Sequence, residues 1–213
     1  MRVLIPSVFI ALCLFAQSQK PEIQGMPPRA TAADYQANAK AGSVTIGAEF
    51  LGHSVPTEQG TLSTEDYVVI ETGLFGSPGA RIKLSAEDFS LRINGKKTVL
   101  PSQPYGLVVK TVRDPEWETP ASTASKSKTS IGGAGGGRGK GDPDGPPAPT
   151  PVPMAVRRAA EQRVQKGALP EGDRALPQAG FIFFQYRGKT QGIHSIELIY
   201  SGSAGKATLE LRP

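Results

Sequence analysis

Cysteine and histidine are almost missing from this chain. It has one cysteine, Cys13, and two histidines, His53 and His194. Cys13 lies in an apolar run expected to be removed, so the rest of the chain is expected to fold without disulfides, held by buried apolar area alone. A dedicated metal site wants three or four ligands from His, Cys, Asp and Glu. His53 falls in a polar loop and His194 near a strand start, and solvated or edge histidines account for both. A hydrolytic triad fares no better, because His194 and Ser195 are adjacent on an extended stretch, where successive side chains point to opposite faces. No catalytic, cofactor-binding or metal residue is assigned, and no cofactor is expected.

Long hydrophobic runs are also scarce. Val3 to Phe15 is apolar apart from Pro6 and Ser7. As a helix it reaches about 20 Å, short of the roughly 30 Å hydrocarbon core of a membrane. Arg2 in front supplies a positive end, and Ala16-Gln17-Ser18 puts small residues at the −3 and −1 positions of a signal-peptidase site. Residues 1–18 are therefore expected to be a signal peptide cleaved before Gln19. That implies a periplasmic or extracellular protein with no transmembrane segment after cleavage. A lipoprotein site would want a small residue before Cys13, where this chain has Leu12.

Charge of one sign is not concentrated on the parts expected to fold. The chain has 24 basic and 19 acidic residues, for a net +5, which becomes +4 without Arg2. Much of the excess sits at Lys126, Lys128, Arg138 and Lys140 and then at Arg157, Arg158, Arg163 and Lys166. A basic field over a nucleic-acid groove is not indicated.

What is present is period-two patterning. Residues 19–42, with Pro27 and Pro28, read as a flexible leader containing a possible helical turn from an N-cap at Thr31 to Lys40. From Ser43, the residues Val44, Ile46, Ala48 and Phe50 alternate as a strand, and Tyr67 to Leu74 follows as a second. The polar stretch Gly52 to Thr64, with Pro56 and Gly60, reads as a loop. Short strands are expected at Arg81 to Leu84, Phe89 to Ile93, Lys97 to Leu100 and Tyr105 to Val112. Asn94-Gly95 suits a type I′ turn because both residues tolerate positive φ.

Residues 119–175 form a Gly/Pro-rich insertion, expected to be disordered because it cannot bury enough apolar surface to offset ordering entropy. Within it a short helix is expected at 154–166, with Pro153 at its start and Gly167 past its end. Strands resume at Gly180 to Phe184, apolar on both faces and so central in a sheet, then at Ile193 to Tyr200 and Ala207 to Leu211. Three strands of about 35 residues make a marginal core alone. Residues 43–118 and 176–213 are therefore expected to form one all-β domain, with the insertion as a loop that leaves and returns.

The stretch Ile82-Lys83-Leu84-Ser85-Ala86-Glu87-Asp88-Phe89-Ser90-Leu91-Arg92-Ile93-Asn94-Gly95-Lys96-Lys97 resembles a pattern of immunoglobulin-like domains in uncharacterised secreted bacterial proteins. Gly180 to Phe184, followed by Ile196 to Tyr200, is similar to the paired final strands of such domains. The resemblance covers roughly Ser43 to Trp117 and Leu176 to Pro213 and departs at the long insertion. It implies an antiparallel β-sandwich with an exported, interaction-type role, and it carries over no catalytic residues.

Other chemical motifs weaken on inspection. Gly135 to Gly141 with Lys140 lacks the first glycine of a phosphate loop, which is Ala134 here, and Gly141 stands where Ser or Thr is needed. Asp142-Pro143-Asp144-Gly145 has a proline between the acids and no later glutamate, so it reads as a turn rather than a calcium loop. Glu87 and Asp88 read as surface acids, and Trp117 as a cap on the sandwich. The basic segment Arg157 to Lys166 reads as a solvated helix. The leading expectation is a non-catalytic exported binding or structural module whose partner is a protein or a cell-envelope polymer. One alternative is an enzyme or metal-dependent protein with a dispersed site around His53, Glu58 and Asp66. Another is an envelope-surface tether acting through the basic insertion.

Overall fold

The computed structural model describes residues 23–115 and 153–213. The expected signal peptide, Trp117, and the glycine and aspartate tracts of the insertion lie outside the described residues. The fold is mostly antiparallel β-sheet. Its main sheet has eight strands in the order β1-β2-β5-β11-β8-β7-β12-β13. In chain order these are β1 (Ala37–Ala41), β2 (Val44–Phe50), β5 (Tyr67–Phe75), β7 (Phe89–Ile93), β8 (Leu100–Gln103), β11 (Gln178–Gln185), β12 (Ile196–Gly202) and β13 (Gly205–Leu211). Strands from before and after the insertion interleave. β11 lies between β5 and β8, and β12 lies beside β7.

The sheet curls so that its two ends face each other. Gln36 Nε2 on the approach to β1 donates to the Arg212 carbonyl beyond β13 at 2.9 Å. Inside the curl lies the larger core, in which Ile46, Ile70, Leu91, Phe184, Leu198 and Tyr200 are fully buried. Phe89 and Tyr200 pack there with ring centroids 4.9 Å apart. The period-two residues Val44, Ile46 and Ala48 point into this interior, as their spacing demands.

β5 and β11 are covered on both faces. Val68, Ile70, Ile182 and Phe184 face the larger core, while Tyr67, Val69, Phe181 and Phe183 face a second one. Two-sided burial is why Gly180 to Phe184 reads as a continuous apolar run, and β5, read as alternating, is buried on both faces as well, Glu71 and Thr72 included. The second core is closed by α2 (Met154–Gly167), through Ala160 and Val164, and by the hairpin of β3 (Ser54–Thr57) and β4 (Gly60–Thr64), through Val55 and Leu62. The helix starts at Met154 with Pro153 as its N-cap, where the proline lacks only a hydrogen that would have no partner.

Several expectations change. Gly52 to Thr64 is no plain loop: β3 and β4 pair there, and Pro56 is tolerated because β3 is an edge strand. Tyr105 to Val112 is no single strand. Pro104 caps a one-turn helix, α1 (Tyr105–Val108), followed by the two-residue β9 (Val112–Arg113) against β4. The strand expected at Lys97 to Leu100 falls at Leu100–Gln103, and the one expected from Ile193 begins at Ile196. Within 119–175 the helix expected at 154–166 is α2, and the unexpected element is β10 (Gly172–Ala175), which pairs with β6 (Arg81–Leu84). Asn94 and Gly95 have φ of 54° and 61°, the positive values their turn requires.

Residues 23–42, expected to be a flexible leader, contain a strand and a strap across the outer face of β2 and β5. Thr31 leads into a 3-10 turn, Ala32–Asp34, whose Asp34 carboxylate accepts from Thr31 N at 2.7 Å; β1 follows in place of further helix. Met26 N donates to the Ala179 carbonyl at 2.8 Å. Tyr35, 4% exposed, lies over the cross-strand pair Gly47 and Gly73. A Cβ at Gly47 would stand 2.6 Å from the Tyr35 ring, so a side chain there and the seated ring exclude each other.

Candidate functional site

The strap ends in a charge cluster. Glu49 and Glu71 are cross-strand partners on β2 and β5, and Arg29 bridges them. Its Nε and Nη2 donate to the Glu71 carboxylate at 3.1 and 2.8 Å, and Nη2 also meets Glu49 at 2.5 Å. Nη1 donates to the Asp34 carbonyl at 2.7 Å, and the guanidinium lies 4.5 Å from the Tyr35 ring centroid. The Glu71 hydrogen bonds push the Arg29 pKa upward against the opposing effect of burial. Burial holds the Tyr35 phenol above its ordinary range. Each nitrogen of the planar guanidinium fork has an acceptor, which makes the cluster a clamp for the strap.

A cleft of about 540 Å3 opens on the far side of the strap, between α2, the β3–β4 turn and Pro27. That size suits a small organic molecule. Each wall has a structural cause. The turn is pinned by Thr57 Oγ1 donating to the Gly60 carbonyl at 2.6 Å, which leaves Glu58 and Gln59 at its tip. α2 is set down closely because Gly167 packs under Phe181, where a Cβ would meet the ring at 2.8 Å. The floor is apolar, with Met26, Pro27, Pro56 and Ala159. The rim carries amides and charges. Lys166 Nζ donates to both Glu58 carboxylate oxygens at 3.2 Å, spanning from the helix to the hairpin. Arg163, 15% exposed, donates from Nη2 to Asp114 at 2.5 Å, while its Nε is buried with no acceptor.

The residues of the dispersed-site alternative do not converge. His53 Nδ1 is 2.7 Å from the Tyr67 carbonyl, Nε2 is 2.9 Å from the Gly188 carbonyl, and the ring stacks on Tyr186. Glu58 reaches across the cleft to Lys166, and Asp66 meets Arg187 at 3.0 Å. His194 and Ser195 are exposed, and both backbone amides donate to Asn94 Oδ1. Glu87 and Asp88 lie on a 3-10 turn, Ala86–Asp88, in place of extended chain. Burial raises the Asp88 carboxyl above its usual range, partly offset by the Ser85 backbone. Among the described residues no three His, Cys, Asp or Glu side chains gather in a metal-holding group. No described helix is long and apolar enough to cross a membrane.

The basic segment Arg157 to Lys166 divides between two settings. Arg157 and Arg158 are exposed, whereas Arg163 and Lys166 line the cleft. Sequence reading missed the cleft because its hairpin wall looked like a polar loop. The recoverable signal was the pair Val55 and Leu62, two isolated apolar residues flanking Pro56 to Gly60 in mirror positions, as a hairpin with one buried face requires. No protein-family model matches the chain, and no curated protein and no solved structure matches it either.

Proposed function

We propose that this chain is a non-catalytic, exported binding or structural module. The observation that supports the reading best is the cleft. It is of ligand size, and its charged side chains are engaged in ion pairs, Lys166 with Glu58 across the cleft and Arg163 with Asp114 behind its lining, rather than arranged as nucleophile, base and orienter. The histidines lie elsewhere, and the ring nitrogens of His53 are both occupied by carbonyl oxygens. The resemblance of residues 82–97 to secreted domains and the signal-peptide pattern of residues 1–18 support export, to the periplasm or the medium.

The immunoglobulin-like form of the fold draws support from β5 pairing with β11 and from strands packed on two sides of one interior. The direct β2–β5 pairing departs from that family's order, in which the second and third strands lie in opposite sheets.

The test is capture of partners from the native envelope, by cross-linking with the wild-type protein and with Ala159→Trp, which fills the cleft from an exposed helix position. The reading expects a protein or envelope polymer captured by the wild type and lost with the variant. Capture unaffected by the filled cleft would remove its support. So would an enzymatic activity or metal content that disappears when His53 and His194 are substituted together.

A further inference from the structure

Taking the cleft as the binding site of that module, its chemistry narrows the ligand. We propose that it takes a small organic acid, an apolar body with one carboxylate head, and that Glu58 occupies the place of that head when no ligand is bound. The floor of Met26, Pro27, Pro56 and Ala159 offers contact to carbon and few hydrogen-bond partners. The donors stand to one side. Lys166 and Arg163 are three residues apart on one face of α2, both lining the cleft.

The nearby acids are not equivalent. Asp114, 11% exposed, is held against Arg163 Nη2 and does not itself line the cleft. Glu58, 78% exposed, sits at the tip of a hairpin turn with both carboxylate oxygens 3.2 Å from Lys166 Nζ. An exposed lysine–glutamate pair of this kind contributes little to stability. An incoming carboxylate can therefore displace Glu58, accept the same Lys166 hydrogen bonds and place its body on the apolar floor. Arg163 reinforces the preference for an anion. Its guanidinium lines the cleft beside Lys166, with Nη2 held by Asp114 and the buried Nε without an acceptor.

A cationic or neutral ligand of the same shape gains none of this. A cation could pair with Glu58 only by taking it from Lys166, which would leave it beside two cations, Lys166 and Arg163, and a neutral ligand could not replace the charge of Glu58.

The experiment compares three probes of one shape, phenylbutyrate, phenylbutanol and phenylbutylamine, by isothermal titration calorimetry on the full mature chain. The proposal expects phenylbutyrate to bind roughly tenfold or more tighter than the alcohol, the amine to bind least, and added salt to weaken the acid alone. Lys166→Gln weakens the acid about three- to tenfold and leaves the alcohol unchanged. Glu58→Gln tightens it about two- to fivefold, because the internal competitor is gone. A merely structural Glu58–Lys166 bridge gives no tightening.

Ala159→Trp abolishes binding of the acid, and its unfolding curve confirms that the variant is folded. Equal binding of acid and alcohol, both lost in Ala159→Trp, overturns the acid assignment while leaving a cleft that binds. Acid binding that survives Ala159→Trp, or Glu58→Gln that weakens the acid, overturns the site itself. Absence of binding by all three probes also overturns the proposal; it leaves macromolecular capture to be judged by the cross-linking test.

Discussion

Replacing Gly47 by alanine should destabilise the protein, although alanine is ordinarily the better residue inside a strand. Removing a strand glycine is worth about 0.5–1 kcal/mol in favour of alanine. Here the new Cβ would stand 2.6 Å from Tyr35 Cδ2 and 2.8 Å from Cγ, so the ring has to leave its seat on the Gly47–Gly73 pair. A tyrosine as buried as this one covers about 150–250 Å2. At about 25 cal/mol per Å2 that amounts to about 4–6 kcal/mol as an upper bound. A displaced ring keeps part of its cover, so a loss of about 3 kcal/mol against a gain below 1 leaves Gly47→Ala about 2 kcal/mol less stable.

The decisive comparison is the same substitution in a Tyr35→Ala background, where the ring is gone and only the Ala32 carbonyl, 3.1 Å away, meets the new Cβ. There the penalty of about 2 kcal/mol disappears, and alanine at position 47 falls within about 1 kcal/mol of glycine. Urea unfolding of the four proteins, followed by circular dichroism, measures the cycle. A Gly47→Ala effect of the same sign and size with and without Tyr35 would refute the seating argument.

Further outcomes follow from other contacts. Arg29→Met leaves Glu71, 9% exposed, facing Glu49 without its cation, and should cost about 2–3 kcal/mol in denaturant unfolding; adding Glu71→Gln should restore part of that. Leu62→Ala, at a fully buried hairpin position, should cost about 2–5 kcal/mol, whereas the same change in a solvent loop would be near neutral. Burial raises the Asp88 carboxyl, so the folded state holds its proton more tightly than the unfolded chain, and stability falls as pH rises through the carboxylate range. Asp88→Asn should accordingly raise the melting temperature relative to wild type at neutral pH and lose that advantage below about pH 3, as read by differential scanning calorimetry.

How much of this was legible depends on how each element earns its burial. β2, β7, β11 and α2 announce themselves because their apolar residues recur at the period of the element and face one interior or two. β1 was not readable. Ala37, Ala39 and Ala41 alternate with Asn38 and Lys40, but alanine carries little strand preference, and the segment is extended because it pairs with β2. β10 has no apolar pattern at all and is held by its ladder to β6 and by Arg81 donating to Asp173 at 3.0 Å.

Tyr105 to Val112 misled in the other direction. Its Val and Leu residues suggest a strand, yet only Val108 is fully buried and Leu107 is 42% exposed, since Pro104 turns the chain into a helical turn. The cleft was invisible for a related reason. Lys166 and Glu58 are 108 residues apart, and nothing local to either one indicates the other.

The position of β11 sets a timetable for synthesis. β5 is complete at Phe75, but the strand that covers its edge begins only at Gln178, about a hundred residues later. At translation rates of about 5–20 residues per second, the most apolar edge of the nascent chain waits roughly 5–20 s for its neighbour. During that interval any other extended segment can take the vacancy, so a cell making this protein needs something to keep that edge single until Gln178 and the residues after it arrive.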